Sequence, residues 1–193
     1  MTTTHGTAPP TAAPDTRWRT RDIVIAAVIG VAFGVAFWAF GAVWRAVEFI
    51  GPVQNVLYGA WLMPALVAPL IIRKPGAALF AELVAAGLSA LLGSSWGIDT
   101  LLSGFVQGAA AELVFAFTLY RSWSFPVLAL AGLASAVAAF VHDVVVWYAG
   151  YATDVLIVIA VAMAVSGLIL LPAASLALVR ALRRAGVLEG FPA

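Results

Sequence analysis

A succession of long apolar runs, interrupted by short polar breaks, restricts this chain more than any other feature of its sequence. The breaks fall at "RAVEFIGP", "IIRKPG", "GSSWGID", "YRSWSFP" and "GYATD". A membrane-crossing helix needs about 20 mostly apolar residues, and the intervening runs supply six such segments, near 22–44, 54–72, 76–94, 100–119, 125–149 and 154–179. Composition agrees: 64% of residues are hydrophobic and 10% charged, where soluble domains carry about 25% charged residues. The expected class is an all-α integral membrane protein, a six-transmembrane-helix bundle over residues 21–185. Residues 1–20, rich in Thr, Pro and Ala and including His5, read as a disordered cytoplasmic tail with no signal-peptide pattern, and 186–193 as a short cytoplasmic C-terminal tail. Pro52, Pro75 and Pro126 sit at or just before span starts, where a missing N–H costs nothing; Pro64, Pro69 and Pro172 fall where they kink a span.

The basic residues set the orientation. With six spans, Arg17, Arg19, Arg21, Arg73, Lys74, Arg121, Arg180, Arg183 and Arg184 share one side, and Arg45 alone lies opposite. By the positive-inside rule both termini are expected to be cytoplasmic, in the cell membrane.

Against this apolar background, ionisable residues within spans are costly and mark either helix fastening or function. They are Glu82 in the third span, Glu112 in the fourth and the pair His142–Asp143 in the fifth. Antiparallel running of the third and fourth spans places Glu82 and Glu112 at a similar depth, about 9 Å from the cytoplasmic end at roughly 1.5 Å per residue. Glu112 continues the row Gly104, Gly108, with Ser103 and Gln107 beside it, and Glu82 lies among Ala78, Ala86 and Ser89. Small residues let helices approach closely or leave room for a bound molecule. Ala139, Asp143 and Trp147 form a row ending near Tyr151, a carboxylate one turn from an indole that suits a cationic aromatic ligand. Trp18, Trp44, Trp96, Trp123 and Tyr148 read as interfacial anchors, whereas Trp38 and Trp61 lie farther inside.

Several function classes have no support. Cysteine is absent, which removes thiol chemistry. No zinc-ligand spacing, H-E-x-x-H pattern or G-x-S-x-G elbow appears, so neither a metal site nor a catalytic site is expected, and no cofactor. The P-loop pattern is missing, so uphill transport would need energy from elsewhere. A net charge of +1 with scattered cations argues against nucleic acid as a partner.

The stretch 55–116, through "IIRKPGAALFAE", "LLGSSWG" and "LLSGFVQGAAAELVFA", resembles the YkoE family of substrate-binding S components of energy-coupling factor (ECF) vitamin transporters, and the layout is similar over residues 17–185. The resemblance implies a transport subunit and not an enzyme. Its partners would be an ECF transmembrane coupling protein and ABC-type ATPase subunits, and its ligand thiamin or the hydroxymethylpyrimidine moiety, captured from outside. It also implies a small-residue docking row on the first helix, for which Ala26, Gly30 and Gly34 are the candidates. Such a ligand pairs its aminopyrimidine edge and its cation with carboxylates and stacks on indoles. Glu82 and Glu112 are then expected at the inner end of the pocket, Asp143, Trp147, Trp61, Asn55, Trp38 and Tyr58 at its wall and mouth, with Gln107 nearby and Glu48 in a gating loop. The competing expectation is a self-sufficient proton-coupled transporter or channel for a small cationic solute, with Glu82, Glu112 and Asp143 as its relay.

Overall fold

The structure, a computed structural model, describes residues 16–191; most of the expected N-terminal tail, with His5, lies outside them. Every regular element among the described residues is helical: α1 (Thr20–Ala46), a tight 3-10 segment (Glu48–Leu62) running into α2 (Met63–Ile72), α3 (Ala77–Leu91), α4 (Asp99–Phe117), α5 (Phe125–Val146), α6 (Thr153–Val165), a π turn (Ser166–Leu170) and α7 (Leu171–Arg184). Five helical stretches are long and apolar enough to cross a membrane: Thr20–Ala46, Glu48–Ile72, Asp99–Phe117, Phe125–Val146 and Thr153–Arg184. The expected third span is the exception, an apolar helix of 15 residues that ends at Leu91.

The second crossing differs most from a plain helix. Gly51, at φ 67° and ψ −152°, breaks its first turn, a conformation that only glycine adopts without strain. The 3-10 winding then persists to Leu62, far beyond the three or four residues over which it is usually tolerated. From Pro64 to Ile72 every residue is buried, as expected of a helix apolar all round and surrounded by others. This makes α2 the axis of the bundle. Around it α1 packs on α3, α3 on α4 and α4 on α5, while the 3-10 segment packs on α6 and the π turn.

The π turn has a local cause. Pro172, in the first turn of α7, has no N–H to aim at the Leu168 carbonyl, and its ring crowds that oxygen. The wider turn absorbs the mismatch. The same turn puts Gly167 against Gly132 of α5, so closely that a Cβ on either would collide with the other's carbonyl oxygen. Ser166 adds a polar tie, its Oγ accepting the Gly59 backbone N–H at 2.8 Å.

At one end of the bundle, polar contacts bind the N-terminal approach to the α2–α3 turn. Asp22 caps α1 by accepting the Arg19 N–H at 2.9 Å and pairs with the buried Lys74 at 2.6 Å. Lys74 also donates to the Arg17 carbonyl, and Trp18 Nε1 donates to the Pro75 carbonyl at 2.8 Å.

The small-residue row of α1 requires a correction. Ala26, Gly30 and Gly34 are buried, and a Cβ on Gly30 or Gly34 would fall 2.6 Å from Val84 Cβ or 2.8 Å from Leu88 Cβ. The row is therefore the seat of α3 inside the bundle and presents no open docking face. The exposed side of α1 carries Ile23, Val24, Val28, Val31, Val35 and Trp38 instead.

Candidate functional site

A cavity of about 590 Å³ lies between the ends of α1, α3, α4, α5 and α6 and the 3-10 segment. That volume is in the range of small-molecule sites. Its inner end is Glu82. Gly104 and Gly108 of α4 lie directly against this part of α3, with any Cβ at Gly108 meeting Glu82 Cβ at 2.9 Å. Close approach of the two helices buries the carboxylate completely. One oxygen, Oε2, accepts the Ala65 backbone N–H at 3.0 Å. Ala65 follows Pro64 where the 3-10 segment passes into α2, and its N–H is turned to this carboxylate. The other oxygen, Oε1, is buried with no hydrogen-bond partner among the described residues.

The side walls are amide, hydroxyl and indole. Gln107 donates through Nε2 to Ser103 Oγ at 2.6 Å and to the Tyr58 hydroxyl at 3.2 Å, and its own backbone carbonyl accepts from Ser135 at 2.9 Å. Asn55 donates to the Pro52 carbonyl at 2.9 Å and accepts from the Tyr148 hydroxyl at 3.4 Å. Burial, with Asp143 and Tyr151 close by, pushes the Tyr148 phenol up, so it stays protonated and able to donate. Trp61 is the hub of an aromatic wall: its ring centroid is 4.7 Å from Trp44, 5.0 Å from Phe40, 5.2 Å from Trp96 and 5.5 Å from Tyr58.

On the opposite side two acids from different helices are yoked through one imidazole. His142 places Nδ1 2.9 Å from Asp143 Oδ1 and Nε2 3.2 Å from Asp99 Oδ1. Trp147 Nε1 donates to Asp99 Oδ2 at 2.8 Å. Asp99, Asp143 and Trp147 all line the cavity.

Of the residues singled out from the sequence, Glu82, Asp143, Trp147, Trp61, Asn55, Tyr58 and Gln107 are brought together here, with Glu48 also on the lining. Glu112 and Trp38 are not. Glu82 faces Gly108, so Glu112, one turn further along α4, faces the α2–α3 turn. There it accepts the Gly76 N–H at 2.6 Å, the Ala78 N–H at 3.0 Å and the Tyr120 hydroxyl at 2.7 Å, capping α3 rather than facing the cavity. Burial and the Glu112 carboxylate push the Tyr120 phenol up. Trp38 sits one residue off the buried stripe Gly34, Phe37, Gly41, Trp44 and points outward, half exposed. Trp44, Trp96 and Tyr148, expected as interfacial anchors, line the cavity instead. The spacing of Phe37, Gly41 and Trp44 at i, i+4, i+7 was the signal that places Trp44 inward.

Comparison with known proteins extends this picture. Residues 21–138 match the family described as ABC-type cobalt transport system, permease component. A protein of Bacillus subtilis (strain 168), named putative HMP/thiamine permease protein YkoE, is 39% identical over 177 residues, which is 90% of this chain and 89% of that protein. A crystal structure described as an S-component of an ECF transporter superposes with a TM-score of 0.85 at 37% identity, covering 90% of each chain. Fold and relatives together define a multi-pass membrane transport subunit, not an enzyme. The chain belongs to the YkoE family of ECF-transporter S components.

Proposed function

We propose that this protein is the substrate-binding membrane subunit of an ATP-driven ECF importer and that it holds thiamin, or its hydroxymethylpyrimidine moiety, in the cavity above Glu82. One observation carries the reading: a fully buried carboxylate with one oxygen tied to Ala65 and the other, Oε1, without a partner, in a cavity walled by Trp44, Trp61 and Trp96. A buried polar atom of this kind is costly to leave unpaired, and an aminopyrimidine N–H supplies the missing donor while its ring stacks on indole. The YkoE name of the Bacillus subtilis relative supports the same ligand class. A bare metal ion such as cobalt suits the site less well, since among the described residues no three His, Cys, Asp or Glu side chains are grouped to hold one.

In this reading Ala77–Leu91 completes a set of six spans, both termini are cytoplasmic, and the cavity opens outward from the cell membrane. The clustering of Arg17, Asp22, Lys74 and Pro75 at one end supports a common side for the N-terminus and the α2–α3 turn, as the positive-inside rule requires. A coupling protein and ABC-type ATPases supply the energy. The proton-relay alternative has less support, because Glu112 is engaged at the end of α3, away from Glu82 and Asp143.

The test is titration of the purified, detergent-solubilised protein with thiamin and with hydroxymethylpyrimidine, followed by tryptophan fluorescence, beside a Glu82→Gln variant. Saturable quenching that weakens at least tenfold in the variant is the expected result. A folded wild type that binds neither compound refutes the proposal.

A further inference from the structure

The charge lining the cavity is one-sided. Its ionisable carboxylates are Glu48, Glu82, Asp99 and Asp143, and no Lys, Arg or His is among its lining residues. The two bases nearby lie outside the lining. The Arg45 guanidinium, exposed at the end of α1, donates to the Ser95 hydroxyl. His142, its side chain only 7% exposed, stands behind the wall with both ring nitrogens directed at Asp99 and Asp143. The usual seats for a phosphate are an Arg or Lys side chain and an open helix N-terminus. Neither is offered here, and the two helices that begin at this end, α4 and α6, each carry an acid in the first turn, Asp99 and Asp154.

We propose that the cavity excludes anions: Asp99 and Asp143, yoked by His142, reject phosphate monoesters, so that only the unphosphorylated alcohol form of the ligand is captured. The inference rests on the thiamin or hydroxymethylpyrimidine reading, since both of those compounds end in a hydroxyl group that is readily esterified with phosphate. A phosphate dianion within about 6 Å of a fixed carboxylate is repelled strongly enough, at an effective dielectric near 20, to lower affinity by at least about tenfold. His142 acts as a positioning residue. It holds the two acids on one wall, with both of its ring nitrogens turned to them rather than into the cavity. Where phosphate esters are the available source, their hydrolysis outside the cell must come before capture.

The experiment compares thiamin with thiamin monophosphate by tryptophan fluorescence, at low and high salt, in the wild type and in Asp99→Asn and Thr100→Lys. Asparagine keeps an acceptor for Trp147 Nε1, and Thr100 lines the cavity, so a lysine there adds a cation to the same wall. The expected result is at least tenfold weaker binding of the monophosphate to the wild type. That ratio shrinks severalfold in Asp99→Asn, shrinks further in Thr100→Lys, and falls as salt rises. Equal affinities in the wild type overturn the inference and leave the thiamin reading standing. A ratio that ignores both substitutions and salt also overturns it, because the discrimination is then steric. A wild type that binds no thiamin refutes the parent reading, and this inference with it. The salt series on the wild type decides the matter even if a variant fails to fold.

Discussion

Replacing Glu112 by alanine separates a structural carboxylate from a ligand-binding one. The side chain accepts three hydrogen bonds, from the Gly76 and Ala78 backbone N–H groups and from the Tyr120 hydroxyl, at 2.6, 3.0 and 2.7 Å. Loss of a helix cap costs about 1 kcal/mol, and loss of a favourable charge beside the N-terminal dipole roughly 0.3–1 kcal/mol more. The Tyr120 bond is charge-assisted and contributes about 1.5 kcal/mol at the low end for such bonds. These sum to a destabilisation of about 3 kcal/mol. A chain of this length loses roughly 2–4 °C of melting midpoint per kcal/mol, so the Glu112→Ala variant is expected to melt roughly 6–12 °C lower in detergent, while its thiamin affinity stays within about twofold of wild type. Thermal unfolding by circular dichroism and fluorescence titration read the two quantities on the same sample. An unchanged midpoint with a tenfold loss of thiamin affinity refutes the reasoning and returns Glu112 to the pocket.

Three further substitutions probe other parts of the structure. Lys74→Met leaves Asp22 buried without its partner at 2.6 Å, and removal of one member of a buried pair costs about 3–5 kcal/mol; a melting midpoint close to wild type would show that the pair contributes little. Gly34→Leu pushes a side chain into Leu88 and the Ala85 carbonyl, so the isolated subunit itself is expected to unfold at lower temperature. Normal stability of the isolated subunit, with loss only of assembly with its partners, would reinstate the row as a docking face. Trp61→Ala opens the aromatic wall between Trp44 and Trp96 at a cost of about 3–5 kcal/mol, and ligand-induced quenching is expected to fall with it; quenching of undiminished amplitude would move the ligand away from that wall.

Much of this architecture can be read in the sequence because apolar runs in lipid leave the backbone few choices. With every N–H and C=O satisfied internally, a run of that length becomes a helix. Glu82 stands out for the same reason, as does the row Asp143, Trp147, whose i, i+4 spacing sets both on one helix face. Glu112 and the small-residue row of α1 depend on which helix lies opposite, whereas the stripe Phe37, Gly41, Trp44 already sets Trp44 inward and Trp38 outward. Glu112 belongs to the same polar row as Gly108, and only the register of α3 against α4 decides that Gly108 meets Glu82 while Glu112 passes on to Gly76. The stripe of α1 shows a face meant for close packing, yet small residues suit an external partner and α3 equally well. Asp99 sits in a loop-like stretch of sequence 43 positions from His142, with nothing local to announce that the two meet. The long 3-10 winding, and the π turn beside Pro172, are backbone adjustments that hydropathy does not register.

The contact of Gly132 with Gly167 has a mechanical consequence. Where two backbones touch with no side chain between them, the helices cannot slide apart at that point without losing contact altogether. Asp143 lies 11 residues beyond Gly132 on the same helix, about 16 Å at roughly 1.5 Å per residue. That end of α5 is held separately, by His142 and Trp147 on Asp99 of α4. The helix is thus clamped at two points, and the acid-bearing rim cannot shift unless the second clamp opens.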